Sequence, residues 1–344
     1  MKKLNLGIIG LGRAGYRMHL KELKGKEDMF NIYAVCDVEA DRLQKMVDEY
    51  GAKTYTRVED IVEDPDIDII VVATRSCDHF KHAMTALNAG KKVFLEKPIT
   101  LNYDEAKKLF EYAESLGGNN LFIRHNRRFE AKFMQINKII DSGILGDVYY
   151  IKRSVTNFQR RCDWQTLVQY GGGQLLNWGP HLVDQALRFC GDDYVNLTSY
   201  TRQIAATGDC EDFVSARFEG VNGRLVEIEI SGGTAIKMPE YIVYGTRGAL
   251  VDMGDYYKVK YLETDFEYKT KVSNPHTPVD AKFAPTEELP FIEEEIPCDK
   301  NPLDQTWGYL YEAVVNGKEY PIKSEEALMV MEAITEIKRQ NGQF

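Results

Sequence analysis

The amino-acid sequence predicts an α/β fold. A doubly wound parallel sheet over residues 1–124 precedes an α+β domain over residues 125–344, built on a large, mainly antiparallel sheet. Three observations predict it. Strand-like and helix-like segments alternate through the first third, which implies right-handed crossovers between parallel strands. A glycine-rich turn joins the first strand to the first helix. Beyond about residue 125 the chain shifts to long runs of alternating apolar and polar residues, as in antiparallel strands with one covered face.

Taken in order, residues 4–10 (LNLGIIG) read as a short buried strand and a helix follows from about Ala14. Residues 31–37 (NIYAVCD) are a second strand, and Ala40 to Tyr50 is helical. Residues 67–74 (IDIIVVAT) are apolar without alternation, as in a strand covered on both faces. A helix from His79 to Asn88 closes at Gly90, and residues 91–98 (KKVFLEKP) form the next strand. Asn102 caps a helix that reaches about Leu116 and stops at Gly117-Gly118; residues 120–123 (NLFI) are again a strand.

In the second domain, Phe129 to Ser142 is an amphipathic helix. Residues 147–158, 212–220, 223–233, 240–253 and 255–264 read as antiparallel strands. Residues 273–302, rich in Pro and Glu, read as a surface excursion. Ser324 is expected to cap a last helix, with Glu326 and Ala327 in its first turn, running to about Gln340.

Composition narrows the function. Lysines and arginines number 43 against 53 acids, a net charge of −10, which argues against nucleic acid as partner because phosphate contacts need a basic face. No apolar stretch approaches the roughly 20 residues of a membrane helix. The basic, then apolar, N-terminus leads into a glycine pattern rather than a cleavage site. Cys36, Cys77, Cys162, Cys190, Cys210 and Cys298 are scattered without metal-like spacing, so no metal is expected. Reduced thiols in the cytoplasm are the simplest account.

Gly10, Gly12 and Gly15, with Leu11, Arg13 and Ala14 between them, make a GxGxxG turn after a strand and before a helix. That is the context for a dinucleotide pyrophosphate on a helix N-terminus. Asp37 ends the second strand 22 residues after Gly15, where a carboxylate can accept from ribose hydroxyls. Asp37 favours NAD, since it would repel a 2′-phosphate; Arg13 and Arg42 keep NADP open. Ligands of open parallel sheets lie beyond the carboxyl ends of the strands. Thr74, His79, Glu96 and Lys97 fall at such ends and complete the expected cofactor contacts. Partial burial beside a positive nicotinamide ring would lower the pKa of Lys97 and fit it to exchange a proton with a substrate hydroxyl. The Lys97-Pro98 bond is a candidate for the cis form.

These residues resemble the glucose–fructose oxidoreductase / inositol dehydrogenase / rhizopine-catabolism (Gfo/Idh/MocA) family over nearly the whole chain. The matching segments are residues 10–15, Asp37, residues 74–79, Glu96-Lys97-Pro98, residues 125–129, the stretch GGGQLLNWGPHLVD (171–184) and YGTRGALV (244–251). The resemblance implies an NAD(P)-dependent oxidoreductase acting on sugars, polyols or their derivatives, with Lys97 and His181 catalytic. The family commonly has a catalytic aspartate four residues before that histidine. Here the position is Asn177, which cannot take a proton. Arg75 stands where the family often has Pro, and Gln165 follows Trp164 where it often has Arg.

Pro180 suits the first turn of a helix. From there His181, Asp184, Gln185 and Arg188 form a polar stripe, and Leu182, Val183, Ala186, Leu187 and Cys190 an apolar face. The helix N-terminus disfavours imidazolium at His181 while Asp184 favours it, which predicts a pKa near neutral. Gly171 to Gly173 allow a close approach to another backbone or to cofactor. Substrate contacts are expected from Lys97, Arg127, Asn177, His181 and Asp184, with interdomain ion pairing the main role of Arg127 and Arg128. The expected reaction is reversible hydride transfer at a hydroxyl-bearing carbon. An NAD-dependent glycosidase using transient oxidation, and a non-catalytic dinucleotide-binding regulator, are the alternatives. The resemblance implies a homodimer or homotetramer through the open face of the second sheet, and the alternating strands, with Ile228, Ile230, Tyr241 and Val243, allow it.

Overall fold

The structure, a computed structural model, describes residues 2–269, 275–276 and 289–342. The first sheet comprises β1 (Leu4–Ile9), β2 (Phe30–Cys36), β3 (Lys53–Tyr55), β4 (Ile69–Val72), β5 (Lys92–Leu95) and β6 (Leu121–Ile123). They lie in the order β3-β2-β1-β4-β5-β6, every pair parallel. The strand order reverses between β1 and β4, and that switch opens a crevice at the carboxyl edge. The apolar run needs no alternation because Ile69, Ile70, Val71 and Val72 are each 0% exposed. The helix after β1 is a π-turn segment, Arg13–His19, continuing into α1 (Leu20–Leu23). Then come α2 (Ala40–Tyr50), α3 (Val58–Val62), α4 (His79–Asn88) and α5 (Tyr103–Ser115). Asn102 caps α5 as expected, its Oδ1 accepting from Glu105 N at 2.9 Å.

The second sheet has eight strands: β7 (Val148–Thr156), β8 (Tyr194–Arg202), β9 (Phe213–Gly220), β10 (Leu225–Ser231), β11 (Tyr241–Gly245), β12 (Gly248–Asp252), β13 (Tyr256–Leu262) and β14 (Phe291–Pro297). Their order is β14-β13-β12-β11-β7-β10-β9-β8, antiparallel apart from the β7–β10 pair. The helices are α6 (Ala131–Asp141), α7 (Gln174–Asn177), α8 (Gly179–Phe189), α9 (Gln305–Asn316) and α10 (Ser324–Asn341). Among the described residues no helix is long and apolar enough to cross a membrane.

Four expectations are corrected. Residues 273–302 are not wholly an excursion. Phe291–Pro297 is an edge strand, stabilised by Glu293 across from Lys258 at 2.7 Å and Lys260 at 3.7 Å, although its three glutamates break the alternation; much of the rest lies outside the described residues. Helix α9 is unanticipated. It packs on the first sheet, where the Trp307 ring meets Phe94 at 4.9 Å and His19 at 5.4 Å. The cap of α10 is Lys323 rather than Ser324, and its N–H donates to Glu326 Oε2 at 3.2 Å. Finally, Ile228, Ile230, Tyr241 and Val243 are at most 1% exposed and lie inward, so they cannot form an interface. The outward register of β10 carries Leu225, Glu227 and Glu229, because α8 covers the other face.

Candidate functional site

The site lies along the carboxyl edge of the first sheet. After β1 the chain turns at Gly10, with φ +93°. A Cβ on Gly15 would sit 1.9 Å from the Gly10 carbonyl oxygen, so only glycine lets the helical segment start this close to the loop. A Cβ on Gly12 would meet open space. Arg13 is exposed and Ala14 half-exposed. The first N–H groups of a helix have no internal partner and face this space, which fits a pyrophosphate. Asp37 fastens the loop. Its Oδ2 accepts from Leu11 N at 2.7 Å, its Oδ1 from Glu39 N at 3.0 Å, and Arg42 lies 3.3 Å away. Arg42 Nη1 reaches both oxygens, at 3.4 and 3.3 Å, so with Leu11 and Glu39 it takes up the roughly four acceptor positions of a carboxylate, and a ribose hydroxyl would take the place of Arg42.

At the end of β4, Thr74 is half-buried, and its hydroxyl pairs with His82 Nδ1 at 3.1 Å. His79 departs from expectation. It is buried with Nδ1 2.6 Å from the Pro98 carbonyl and Nε2 3.3 Å from the Thr74 carbonyl, tying two strand-end loops together. Glu96 likewise does not face the crevice. Its carboxylate meets Arg124 Nη1 at 2.8 Å, His19 Nε2 at 3.2 Å and the Lys97 N–H at 3.1 Å. Burial alone would raise the Glu96 pKa, but the Arg124 guanidinium and His19 hold it well below the usual carboxylate range.

Lys97 does turn into the crevice, and the Lys97-Pro98 bond that follows it is cis. Its Nζ reaches across to the second domain and donates to the Asn177 carbonyl at 2.9 Å and to Asn177 Oδ1 at 3.5 Å. Burial lowers the Lys97 pKa to about 8. The Glu96 charge opposes this, and Arg124, Arg127 and Arg13 reinforce it. His181 follows in the first turn of α8, where Pro180 is tolerated because it has no N–H to waste. Burial, then the nearby Lys97 and Arg127 charges, pushes its pKa well below 6.5, so the ring is neutral at pH 7. Its Nδ1 has no hydrogen-bond partner among the described residues.

The expected His181–Asp184 pairing is not present. Asp184 is 1% exposed and taken by Arg128, whose Nε lies 3.1 Å from Oδ2, and by His125 Nδ1 at 3.7 Å. It is thus removed from substrate, and the near-neutral pKa expected of His181 fails with the pairing. The polar stripe of α8 is buried rather than solvated: Gln185, 0% exposed, accepts from Arg153 Nε at 2.9 Å and donates to the Arg127 carbonyl at 2.9 Å. Arg128 also pairs with Glu326, joining β6's exit to α10. Arg127 bonds Glu130 at 2.5 Å and lies 4.3 Å over the Trp178 ring, forming a cationic wall beside His181.

The structure therefore gathers Lys97, Asn177, His181 and Arg127 from two domains, with the glycine loop and Asp37 alongside. Several contributors escaped the sequence reading. Arg124 immediately precedes the matching segment 125–129, but nothing local reveals that it is buried between Glu96 and Glu22. Trp178 lay inside the motif without a partner. Arg75, noted only for replacing Pro, stacks 4.4 Å over Tyr170 of the second domain.

Comparison with known proteins agrees with this arrangement. A family model described as "Oxidoreductase family, NAD-binding Rossmann fold" matches residues 4–125, and the GFO/IDH/MocA C-terminal domain matches residues 133–251. An uncharacterized oxidoreductase of Schizosaccharomyces pombe is 30% identical, covering 74% of this chain and 71% of that protein. The myo-inositol 2-dehydrogenase of Thermotoga maritima is 27% identical, covering 72% of this chain and 74% of that enzyme. In fold, the crystal structure of an NAD-binding protein from Listeria innocua superposes with a TM-score of 0.83 at 24% identity, covering 99% of this chain and 95% of that one.

Proposed function

Because this chain belongs to the Gfo/Idh/MocA family of NAD-binding oxidoreductases, we propose that it catalyses reversible hydride transfer between a nicotinamide and a hydroxyl-bearing carbon of a small sugar or polyol. The observation that carries the reading is the reach of Lys97 Nζ, from the tip of the first sheet, to Asn177 just ahead of His181. When bound, NAD or NADP supplies the hydride acceptor. The protein's part is binding and the proton. The glycine turn holds the pyrophosphate and Asp37 the ribose, which makes NAD the preferred form. In the oxidation direction, neutral Lys97 takes the hydroxyl proton at Nζ, and the Asn177 carbonyl then holds the ammonium. Neutral His181 hydrogen-bonds the substrate oxygen and fixes which carbon faces the cofactor. Arg127 stabilises negative charge on that oxygen as the proton leaves. The inositol dehydrogenase relative supports a cyclic polyol as substrate.

A screen of inositols, other polyols and sugars with each cofactor, followed by the absorbance of the reduced nicotinamide, tests this. Net cofactor reduction, faster with NAD than NADP, is expected. Cleavage of a glycoside without net reduction, or silence with every substrate, would replace the proposal. With Lys97 titrating near 8, kcat/KM for oxidation should rise through that pH and level off above it, since only the neutral amine accepts a proton; a flat profile from pH 6 to 10 would remove Lys97 from the step.

We also propose self-association through the outer face of the second sheet. There Tyr150 stacks on Tyr244 at 5.2 Å beside half-buried Ile242 and Ala249. Sedimentation should show a dimer or tetramer, and Tyr244→Glu should shift it toward monomer; a wild-type chain that sediments as a monomer at micromolar concentration rules the assembly out.

A further inference from the structure

Gln165 and Asn177, from separate segments of the second domain, touch each other. Gln165 Nε2 donates to Asn177 Oδ1 at 3.3 Å. The contact is built from both sides. Gly173 N donates to the Gln165 carbonyl at 2.8 Å. A Cβ on Gly172 would come within 2.7 Å of that same carbonyl, so the turn before α7 lies directly against residue 165. Beyond the pair, Gln165 Oε1 accepts from Arg161 Nη2, which also holds Asp163 Oδ2 at 2.5 Å. On the inner side, Asn177 Nδ2 donates to Gln174 Oε1 at 3.3 Å, and Asn177 Oδ1 receives Lys97 Nζ at 3.5 Å.

An amide can be turned either way, so its orientation must follow from its partners. Here both ends of the chain are donors that never accept: Arg161 outside and the Lys97 ammonium inside. Arg161 fixes the oxygen of Gln165 outward, which turns the Gln165 NH2 toward Asn177. Asn177 must then present oxygen to Gln165, and the same oxygen faces Lys97. Gln174 takes the remaining NH2.

We propose that Gln165 and Asn177 act as one unit, a neutral amide pair that points an acceptor at Lys97 without giving it a counter-charge, and that Gln165 is thereby a positioning residue for proton transfer. The inference rests on the oxidoreductase reading for its chemical meaning, but the hydrogen-bond chain itself does not. The other charged groups bearing on Lys97 are Glu96, Arg124, Arg127 and Arg13, with His181 neutral beside it. Glu96 is occupied by Arg124 and His19. A carboxylate at 177 would be a new counter-ion and would hold Lys97 protonated at higher pH. The amide pair orients the lysine yet leaves it free to lose its proton.

The test uses the full chain with ε-13C-labelled lysine, the Lys97 resonance being assigned by its absence in Lys97→Ala. Gln165→Met keeps length and removes the donor. Asn177 is then free to turn its oxygen away, the ammonium loses an acceptor, and the Lys97 titration midpoint should fall by about half a pH unit or more. On any alcohol identified by the screen, kcat should drop about tenfold with KM within about twofold. In an Asn177→Ala background, Gln165→Met should change neither quantity further. Asn177→Asp should move the midpoint and the alkaline rise of kcat/KM upward together. A Lys97 midpoint unmoved by Gln165→Met, or an effect of equal size in the Asn177→Ala background, overturns the unit. If no alcohol is turned over, the titration still decides the pair, so failure of the oxidoreductase reading is read separately.

Discussion

Lys97→Ala should lower kcat for alcohol oxidation by about 10²–10⁴-fold, the range for removing a positioned proton-transfer group, while NAD still binds. The substitution removes Nζ, with the three methylenes that carry it, from the space between the sheet edge and Asn177. The glycine turn and Asp37 lie on other strands and do not depend on it. Lys97→Arg should be nearly as poor, because a guanidinium does not give up its proton at accessible pH. Two measurements check the pair of claims: steady-state rates on the screened substrate, and cofactor affinity by quenching of tryptophan fluorescence or calorimetry. Turnover of Lys97→Ala within fivefold of wild type would assign the proton to another group. Loss of cofactor binding alongside activity would make Lys97 a binding residue instead.

The second large effect is on stability. Arg124 is 0% exposed, with Nη1 2.8 Å from Glu96 Oε1 and Nη2 on Glu22. Arg124→Ala leaves two carboxylates facing a void in a region closed by Phe94 and Trp307. Breaking a buried pair from one side typically costs about 3–5 kcal/mol, because the partner charge stays buried. For domains of this size each kcal/mol shifts Tm by about 2–4 °C, so a drop of about 6–20 °C is expected. The pH dependence follows from the sign of the shift. Glu96 is held below its ordinary value in the wild type, so its ion pairs stabilise the fold at neutral pH. That contribution is lost only as pH falls from the unfolded carboxyl range, about 4.3, toward the folded value. Without Arg124 the same carboxyl is raised, and protonation relieves it. The gap in stability between variant and wild type should therefore narrow from pH 7 to pH 4.5. Thermal unfolding followed by circular dichroism at both pH values checks this, and a gap that is constant or widens on acidification would show that the charge of Glu96 is not what Arg124 balances.

Much of the fold was legible because its signals are local. The apolar run at β4 reports a strand covered on both faces, and Asn102 followed by Glu105 reports a helix start. β14 was not legible because its strand character comes from lysines on β13, and α9 because it is held by rings from the first sheet. At the site, the strand-end position singled out Lys97 and the family resemblance pointed to Asn177 and His181, but neither could say what each would touch.

Sequence alone thus determined the parallel sheet and the glycine turn with Asp37, since periodicity and turn chemistry are properties of neighbouring residues. Only the tertiary structure decided the pairings. Asp184 went to Arg128 instead of His181, His79 to two carbonyls instead of the crevice, Ile228 and Tyr241 to the core, and Gln165 to Asn177. A buried charge or amide must find a partner, and which partner it finds depends on segments far apart in the chain that meet only when the two sheets and α8 have packed.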